Sequence, residues 1–286
     1  MCLIRRSKKG VPAVLAIQPE VRFGFGENWL DFVRDLGDEQ IKEAEHSLLK
    51  FLRCDTLRGQ TFLDVGSGSG LFSLAARRLG ARVHSFDYDP SSVRCTQELR
   101  EYHFAEDPNW KVERGSILDR DYVRRLGQFD IVYAWGVLHH SGAMRDAIAN
   151  AASAVAPTGL FASALYSRTR LCRLWRAEKR WYASASAEGQ RRARAIYIGL
   201  LFRLRFLVRG RDFAAYVANY NKSRGMDFSH DVHDWLGGYP YESISSDELD
   251  ALMRRLGFAC VHRADTPVAL GLVGSGCAEY LYRRSD

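Results

Sequence analysis

The chain has 286 residues, of which 47% are hydrophobic and 12% aromatic, so it can bury one large core or one core with a smaller cap. Its six cysteines show no C-x-x-C pair and no zinc-like spacing, which indicates reduced thiols in a cytoplasmic protein and predicts neither disulfides nor a metal centre. No apolar run is long enough to span a membrane, and Pro12 interrupts a basic N-terminus that is too short for a signal peptide.

The net charge of +7 is concentrated in one segment. Residues 167–225 contain fifteen Lys or Arg and three Asp or Glu, a local charge of +12, so the rest of the chain carries −5. This segment has no RNA-binding signature and no strip of alternating aromatic and basic residues. We therefore expect a small-molecule partner, and the sequence argues against a nucleic acid.

The first 57 residues predict a cover over a ligand site. The apolar periodicity of residues 38–52 predicts an amphipathic helix, whose apolar side consists of Ile41, Ala44, Leu48, Leu49 and Leu52. Trp29 belongs to the aromatic, turn-like stretch before this helix. Trp29 and Phe25 are candidates for the entrance of the site, although large aromatic side chains in such a stretch more often pack in the core.

Residues 61–70, with the sequence TFLDVGSGSG, are the stretch around which the chain is organised. Residues 61–65 are apolar and partly β-branched apart from Asp64, which predicts a buried strand, and an apolar helical run begins directly after the last glycine. Glycine has no Cβ and takes backbone angles closed to other residues, so this loop can lie against a flat ligand. The residues expected at the ligand are Asp64, Gly66, Ser67, Gly68 and Gly70.

The next predicted strand, residues 81–86, ends at Asp87, about twenty residues after the loop. A carboxylate in this place can accept hydrogen bonds from both hydroxyls of a ribose. We expect Asp87 and the adjacent Tyr88 to bind a nucleotide-like cofactor. On these residues alone, NAD(P) and S-adenosylmethionine are rivals.

The motifs LDVGSGSG and VHSFDYD resemble the first two motifs of class I S-adenosylmethionine-dependent methyltransferases. Leu71 stands where NAD folds typically have a third glycine, which counts against NAD. The nearest likeness is the group of ubiquinone-biosynthesis O-methyltransferases. The resemblance implies S-adenosylmethionine as methyl donor, S-adenosylhomocysteine as product, and a position for Asp64 facing the methionine part of the cofactor.

A third strand and its loop, WKVERGSILD, follow a helix that begins near Pro90. In the related methyltransferases this loop meets the adenine ring and often has an acidic residue at the position of Ser116. Here Ser116 and Ile117 present a hydroxyl and backbone groups to the adenine instead. Asp119 is expected to be the N-cap of the next helix.

Residues 129–140, FDIVYAWGVLHH, predict a central parallel strand and resemble the fourth-strand motif of the same family. Open α/β sheets bind ligands beyond the carboxyl ends of their strands, so Trp135, His139 and His140 are expected beside the reacting methyl group. A histidine is suited to take the proton that an oxygen or nitrogen acceptor loses, and His140 aligns best with the family histidine. Packing or capping roles for both histidines remain the alternative.

After the strand that ends at Tyr166, the alternation of strands and helices stops for about seventy-five residues, which is too long for a loop. The first half of this insertion predicts two helices that mix apolar residues with arginines, and the second half, residues 216–243, has the composition of a binding loop. The residues expected to contact the acceptor are Tyr166, Asn219, Tyr220, Arg224, Asp227, His230, His233, Asp234 and Trp235.

Several interpretations of the insertion compete. We favour a helical lid, because a bare Rossmann-like domain has no acceptor pocket. The basic amphipathic residues 198–211 predict peripheral membrane contact as a second interpretation. Convergence of His230, Asp231, His233 and Asp234 on a metal ion is a third, and a dimer interface is a fourth.

The tail contains a helix with a Ser-x-Asp-Glu start and two strands, FACVHRADTPV and CAEYLYRR. The resemblance implies an α/β, Rossmann-like, seven-stranded sheet of order 3-2-1-4-5-7-6 with a mainly helical insertion after the fifth strand. The expected units are an N-terminal helical cover (1–57), a cofactor-binding core (58–166), a helical lid (167–242) and the C-terminal part of the core (243–286).

The sequence therefore predicts an enzyme that transfers a methyl group from S-adenosylmethionine to an oxygen or nitrogen of a small biosynthetic metabolite. Positioning of the reactants and exclusion of water should supply most of the rate. The alternatives are a non-enzymatic binding protein that keeps the cofactor fold and an NAD(P)-dependent oxidoreductase.

Overall fold

The computed structural model describes residues 21–25, 36–208, 210, 212–218, 220, 228–265, 271–272 and 274–285; at 201, 202, 204, 205, 208, 229 and 230 it describes the backbone alone.

One seven-stranded sheet forms the centre of the molecule. Its strands are β1 (Thr61–Val65), β2 (Arg82–Asp87), β3 (Trp110–Arg114), β4 (Phe129–Trp135), β5 (Val155–Tyr166), β6 (Phe258–Ala264) and β7 (Cys277–Arg284). The order is β3-β2-β1-β4-β5-β7-β6, with β1 to β5 parallel and β7 antiparallel to both neighbours. The strand order predicted from the sequence is confirmed.

Helices cover both faces of the sheet. On one side lie α1 (Asp38–Leu52), α2 (Leu71–Arg78) and α3 (Pro90–Phe104), and on the other lie α4 (Arg120–Leu126), α5 (Met144–Ser153) and α11 (Ser246–Arg255). Because both faces are covered, the central strands are apolar on both sides: Phe62 and Ile131 belong to one core cluster, and Leu63 and Val132 to the other.

The helix predicted for residues 38–52 is observed over the same residues as α1. Ile41, Ala44, Leu48 and Leu52 are buried, while Leu49 is only partly buried at the edge of the same cluster. The helix packs against α2 and the sheet, and so lies beside the glycine loop.

The fourth strand is shorter than predicted. We expected it to run to residue 140, but β4 ends at Trp135, and Gly136 adopts a φ of 73°. That left-handed conformation takes the backbone out of the extended region. A single 3₁₀ turn, Leu138–His140, follows, so the two histidines lie on a turn at the carboxyl edge of the sheet.

The insertion between β5 and α11 is mainly helical in the part that the structure describes. It contains α6 (Cys172–Ser184), α7 (Ala187–Ile196), a π-helical segment (Tyr197–Phe202), α8 (Arg203–Val208), α9 (Phe213–Ala218) and α10 (Phe228–Gly237). An aromatic cluster joins these helices to Tyr166 at the end of β5. No described helix is long and apolar enough to cross a membrane.

The prediction of a binding loop in the second half of the insertion is wrong for residues 228–237, because these residues form α10. Phe228, Val232 and Leu236 are spaced four residues apart and are all buried. Such spacing places them in one stripe along the helix, where they pack into the aromatic cluster.

Candidate functional site

In the loop that follows β1, three glycines adopt left-handed backbone angles. Gly66, Gly68 and Gly70 have φ angles of 71°, 54° and 81°. A Cβ at Gly66 would collide with the Val137 side chain, so only glycine fits between the loop and the end of β4. The Ser67 hydroxyl is hydrogen-bonded to the Thr96 hydroxyl of α3, with 2.9 Å between the oxygens, and this bond fixes the loop against that helix.

Asp87 ends β2 beside this loop. Its Oδ2 accepts a hydrogen bond from the Gly68 amide at 3.0 Å, and its Oδ1 accepts one from the Asp89 amide at 2.9 Å. Burial raises the pKa of Asp87 to about 6, although these amides favour the ionised form. Each carboxylate oxygen has a second lone pair, so both could still accept from a ribose diol.

Asp64 lies in a buried polar network beneath the loop. Its side chain is 3% exposed and accepts a hydrogen bond from the Ser73 hydroxyl at 2.5 Å. Ser73 is bonded to Ser85, which accepts from the Trp110 indole. Burial raises the pKa of Asp64 to about 7. The predicted contact with the methionine part of the cofactor stays a prediction, since the carboxylate is engaged by Ser73.

Tyr88 lies on the surface next to Asp87 and is 53% exposed. The guanidinium carbons of Arg22 and Arg114 lie 5.0 Å and 5.7 Å from the centre of its ring. The Nε of Arg114 also donates to the Tyr88 carbonyl at 3.2 Å. These contacts hold an aromatic ring beside the carboxylate proposed for the ribose.

The loop after β3 contains the residues expected at the adenine ring. The Ser116 hydroxyl accepts a hydrogen bond from the Leu118 amide at 3.2 Å. Ile117 is buried in the core, and its carbonyl accepts from Asn150. Asp119 is the N-cap of α4, as predicted, with its carboxylate accepting from the Tyr122 amide.

Trp135, at the end of β4, contributes to an aromatic group on the α1 and α2 face. Its ring stacks on Tyr133 with a centroid distance of 5.5 Å and packs edge-on against Phe51 of α1 at 4.9 Å. Phe72, in the first turn after the glycine loop, lies 6.4 Å away. Trp135 therefore connects α1 to the loop, and its contact with the cofactor stays a prediction.

His140 is hydrogen-bonded to the insertion. Its Nδ1 lies 2.8 Å from the Pro240 carbonyl, and because a carbonyl oxygen only accepts, Nδ1 must be the protonated nitrogen. Burial lowers the pKa of His140 to about 4, which outweighs the carbonyl groups of Pro240 and Gly238 beside the ring. The neutral ring therefore keeps its lone pair on Nε2 at neutral pH, the form that a proton acceptor needs.

His139 is oriented differently. Its side chain is 1% exposed, and its ring lies 3.8 Å from the ring of Tyr166. Its Nδ1 has no hydrogen-bond partner among the described residues, and burial lowers its pKa well below the usual range. The His139 ring thus packs against the Tyr166 ring, whereas the His140 ring contacts the insertion.

Tyr166 and Trp235, two of the predicted acceptor residues, pack against each other next to His140. The Tyr166 ring is 5.3 Å from His140 and 5.2 Å from Trp235, edge to face in both pairs. Asp234 is buried one position earlier on α10. The structure therefore brings these predicted acceptor residues to the end of β4.

Other predicted acceptor residues bond within the insertion. His233 Nδ1 lies 2.6 Å from both the Tyr182 hydroxyl and the Arg194 guanidinium, and Tyr220 donates to the Asp231 carboxylate. Asp231 and His233 therefore have protein partners. Five predicted residues are outside the described part: Trp29, Asn219, Arg224, Asp227 and the side chain of His230.

A short N-terminal stretch crosses this edge of the sheet, and it includes Phe25, which the sequence had made a candidate for the entrance of the site. Arg22 donates to the Ser141 carbonyl at 2.9 Å, the Phe23 amide donates to the Tyr239 carbonyl at 3.1 Å, and Phe25 packs 5.1 Å from His140. Its aromatic composition was the available signal, but only the tertiary structure shows which strand ends it reaches.

Lys179 of α6 was missed by sequence reasoning. It is fully buried, donates to the Trp235 carbonyl, and places its ammonium 3.5 Å from the centre of the Trp235 ring. The signal was its spacing: Lys179 follows Trp175 by four residues and precedes Tyr182 by three, and these are the buried residues of α6.

Residues 63–161 match the protein family described as "Methyltransferase domain". The ubiquinone biosynthesis O-methyltransferase of Methylobacterium sp. (strain 4-46) is 33% identical over 115 residues, which cover 40% of this chain and 44% of that protein. The ribosomal protein L11 methyltransferase of Lachnospira eligens is 31% identical over 114 residues, which cover 39% and 31% respectively. The chain thus spans less than half the length of these curated relatives.

The fold is shared with magnesium protoporphyrin IX methyltransferase from Synechocystis PCC 6803, solved with bound S-adenosylhomocysteine. The TM-score is 0.54 at 14% identity, over 91% of this chain and 94% of the other. The family match runs from β1 to β5, the part of the sheet that carries the glycine loop, Asp87 and the end of β4. Residues 63–161 of this chain therefore match a methyltransferase domain, they lie in a sheet with the strand order of class I methyltransferases, and S-adenosylmethionine is the cofactor of that class.

Proposed function

We propose that the protein transfers the methyl group of S-adenosylmethionine to an oxygen or nitrogen atom of a small biosynthetic metabolite. The observation that carries this proposal is the position of His140. Its ring lies at the end of β4, is bonded through Nδ1 to Pro240, and meets the aromatic ring of Tyr166. These contacts support a role for His140 as the base for the acceptor, between the methyltransferase core and the proposed aromatic lid.

The cofactor side follows from the geometry of the loop. Gly66, Ser67, Gly68 and Gly70 would lie along the cofactor, and Asp87 would accept from its ribose hydroxyls. Tyr88, Ser116 and Ile117 would flank the adenine, with Asp64, Trp135 and Trp29 completing the expected set. The residues fit this group, because Asp87 keeps acceptor capacity beside a loop that has no Cβ atoms at its glycines.

When bound, S-adenosylmethionine supplies an electrophilic methyl group. The task of the protein is then to hold the acceptor in line, exclude water and take a proton. In our proposal, Nε2 of neutral His140 would take the proton that the acceptor hydroxyl or amine loses when its oxygen or nitrogen displaces the thioether S-adenosylhomocysteine from the methyl group. His139, beneath Tyr166, is the second candidate for this role.

A group of aromatic side chains next to His140 supports a small acceptor. Tyr166, Trp235 and Tyr241 belong to one group of rings, with Tyr166 5.2 Å from Trp235 and 5.3 Å from Tyr241. Such rings favour a planar or apolar molecule that is largely enclosed. Asn219, Tyr220, Arg224, Asp227, His230, His233 and Asp234 stay predicted acceptor contacts of the same lid.

Two measurements test the proposal. Calorimetry with S-adenosylhomocysteine and with NAD should show binding of the first alone, which would separate a methyltransferase from an oxidoreductase. Transfer of a radiolabelled methyl group into a cell extract should then label the small-molecule fraction. Label found only in macromolecules would contradict a metabolite acceptor, and cofactor binding without any transfer would favour a non-enzymatic binding protein.

Two further expectations remain proposals. The described part of the insertion exposes Leu174, Ile196, Leu200 and Leu207, which supports peripheral contact with a membrane surface. Co-sedimentation with liposomes tests it. The scattered cysteines favour a cytoplasmic location, which fractionation of cells would check.

A further inference from the structure

An open pocket of about 490 Å³ lies on the outer face of α6. Arg173, Arg176, Arg180 and Trp181 line it from the helix, and Tyr239, from the segment after α10, forms the opposite wall. The arginines follow one another at spacings of three and four residues, so they point from one face of the helix. None of the sequence motifs of the methyltransferase core contributes to this pocket.

The pocket is strongly positive. Its lining has three arginines and no carboxylate, although the Glu242 carboxylate, outside the lining, lies close enough to Arg176 for that charge to act on its pKa. The Nε of Arg176 donates to the Tyr241 carbonyl at 3.0 Å, which fixes that side chain at the wall. Arg173 and Arg180, one helical turn to either side, leave their guanidinium groups exposed to the pocket.

An aromatic surface adjoins these charges. Trp181 is 53% exposed although it lines the pocket, and the partly buried Tyr239 faces it across the cleft. The indole of Trp181 thus offers a flat surface at the pocket, on which a planar aromatic ring can stack. The volume is also in the range of organic ligand sites, about 300–1,000 Å³, and larger than a bare anion requires.

We propose that this pocket binds a phosphorylated small molecule with an aromatic ring, with the phosphate on the arginines and the ring on Trp181. A guanidinium group pairs with phosphate oxygens through two parallel hydrogen bonds. The three arginines together carry enough positive charge to balance a phosphate group of charge −2. The site is separate from the cofactor loop, and its occupancy does not depend on methyl transfer.

The pocket shares one wall with the candidate active site. Tyr239 lines the pocket, while the next residue, Pro240, accepts the hydrogen bond from His140. A ligand in the pocket would therefore contact one side of the turn at residues 239–240, whose other side holds the His140 imidazole.

Calorimetry on the full chain with phenyl phosphate and with inorganic phosphate tests the assignment. The double variant Arg173→Gln/Arg180→Gln should weaken phenyl phosphate binding by about tenfold or more, since two charge-assisted contacts are lost. Trp181→Ala should weaken phenyl phosphate but leave inorganic phosphate nearly unchanged. Undiminished S-adenosylhomocysteine binding shows that the variants are folded, and the single variant Arg180→Gln provides a milder change if the double variant is not.

The matched control is Arg191→Gln/Arg192→Gln on α7, which removes the same charge from exposed residues outside the pocket. Its phenyl phosphate affinity should stay within about twofold of the unmodified protein. Equal weakening in both double variants would mean that the general charge of the insertion attracts the anion, and the proposal would be wrong. Absence of binding at millimolar phenyl phosphate, or binding only to phosphatidylglycerol vesicles, would overturn it as well.

Discussion

The Gly68 amide donates a hydrogen bond to the Asp87 carboxylate at 3.0 Å, which ties the glycine loop to the end of the neighbouring strand. The loop proposed to lie along the cofactor and the carboxylate proposed for its ribose are thus held together by the protein itself. Such an arrangement lowers the cost of ordering the site when the cofactor binds.

Asp87→Ala should weaken S-adenosylhomocysteine binding by about ten- to a hundredfold, because hydrogen bonds to a charged group contribute roughly 1.5–3 kcal/mol. Calorimetry on the folded variant measures the effect. Asp121→Ala, at an exposed carboxylate in the first turn of α4, is the control and should bind normally. An unchanged dissociation constant in Asp87→Ala would remove this residue from the site.

Cofactor affinity should fall as the pH is lowered through the raised pKa of Asp87, about 6. The protonated carboxyl loses acceptor capacity, so binding favours the ionised form and affinity rises with pH until Asp87 is fully ionised. Between pH 7 and pH 5 we expect a loss of roughly tenfold. Asp87→Asn should flatten this dependence, and a slope that persists in Asp87→Asn would assign it to another group, such as Asp64.

Gly68→Val should abolish S-adenosylhomocysteine binding while the fold largely survives. The residue has a φ of 54°, where a β-branched side chain costs about 1–2 kcal/mol, and the new side chain would enter the space proposed for the cofactor. Gly257→Val is the matched control, because its φ is 84° and a Cβ there meets nothing within 4 Å, at the opposite edge of the sheet. Both variants should lose similar stability in urea, but only the first should lose the ligand.

His140→Ala should lower turnover by roughly a hundredfold or more, the usual contribution of a general base, at nearly constant cofactor affinity. With its pKa lowered to about 4, His140 is neutral at pH 6 and above, so its protonation should reduce activity only in more acidic solution. His46→Ala, at an exposed position of α1, is the control. Full turnover in His140→Ala would rule out the base.

Lys179→Met should change the pH dependence of stability. Burial lowers the pKa of Lys179 well below its usual range, so above neutral pH the unfolded chain binds more protons at this residue than the folded chain. The free energy of unfolding therefore rises with pH, by up to about 1.4 kcal/mol per pH unit, until the pH reaches the ordinary pKa of lysine. Urea unfolding between about pH 8 and pH 9.5 should show this rise in the unmodified protein and in Lys50→Met, an exposed control, but not in Lys179→Met. Parallel curves for all three proteins would contradict it.

The residues that could be predicted from the sequence are those whose roles depend on local order along the chain. The position of Asp87 beside the glycine loop was predicted because its distance from the loop follows from one helix and one strand, whereas the sheet order was implied by the resemblance to class I methyltransferases. The end of β4 was missed because one glycine, Gly136, could either continue a strand or leave it, and only its observed φ of 73° decides.

Other features depend on contacts between distant parts of the chain. Nothing near Lys179 in sequence indicates that its ammonium will lie on the Trp235 ring, 56 residues away. The position of residues 21–25 across the strand ends is of the same kind. The helix Phe228–Gly237 is different: its apolar spacing was visible, but the polar and aromatic composition around it favoured a loop.

The hydrogen bond between His140 and Pro240 joins residues that are 100 positions apart, one in the core and one in the lid. It fixes which ring nitrogen carries the proton, so a displacement of the proposed lid would release the tautomer. A closed lid and a competent base are then the same condition. The protein would be unable to take a proton from a molecule that it has not yet enclosed, which would make water a poor competitor for the methyl group.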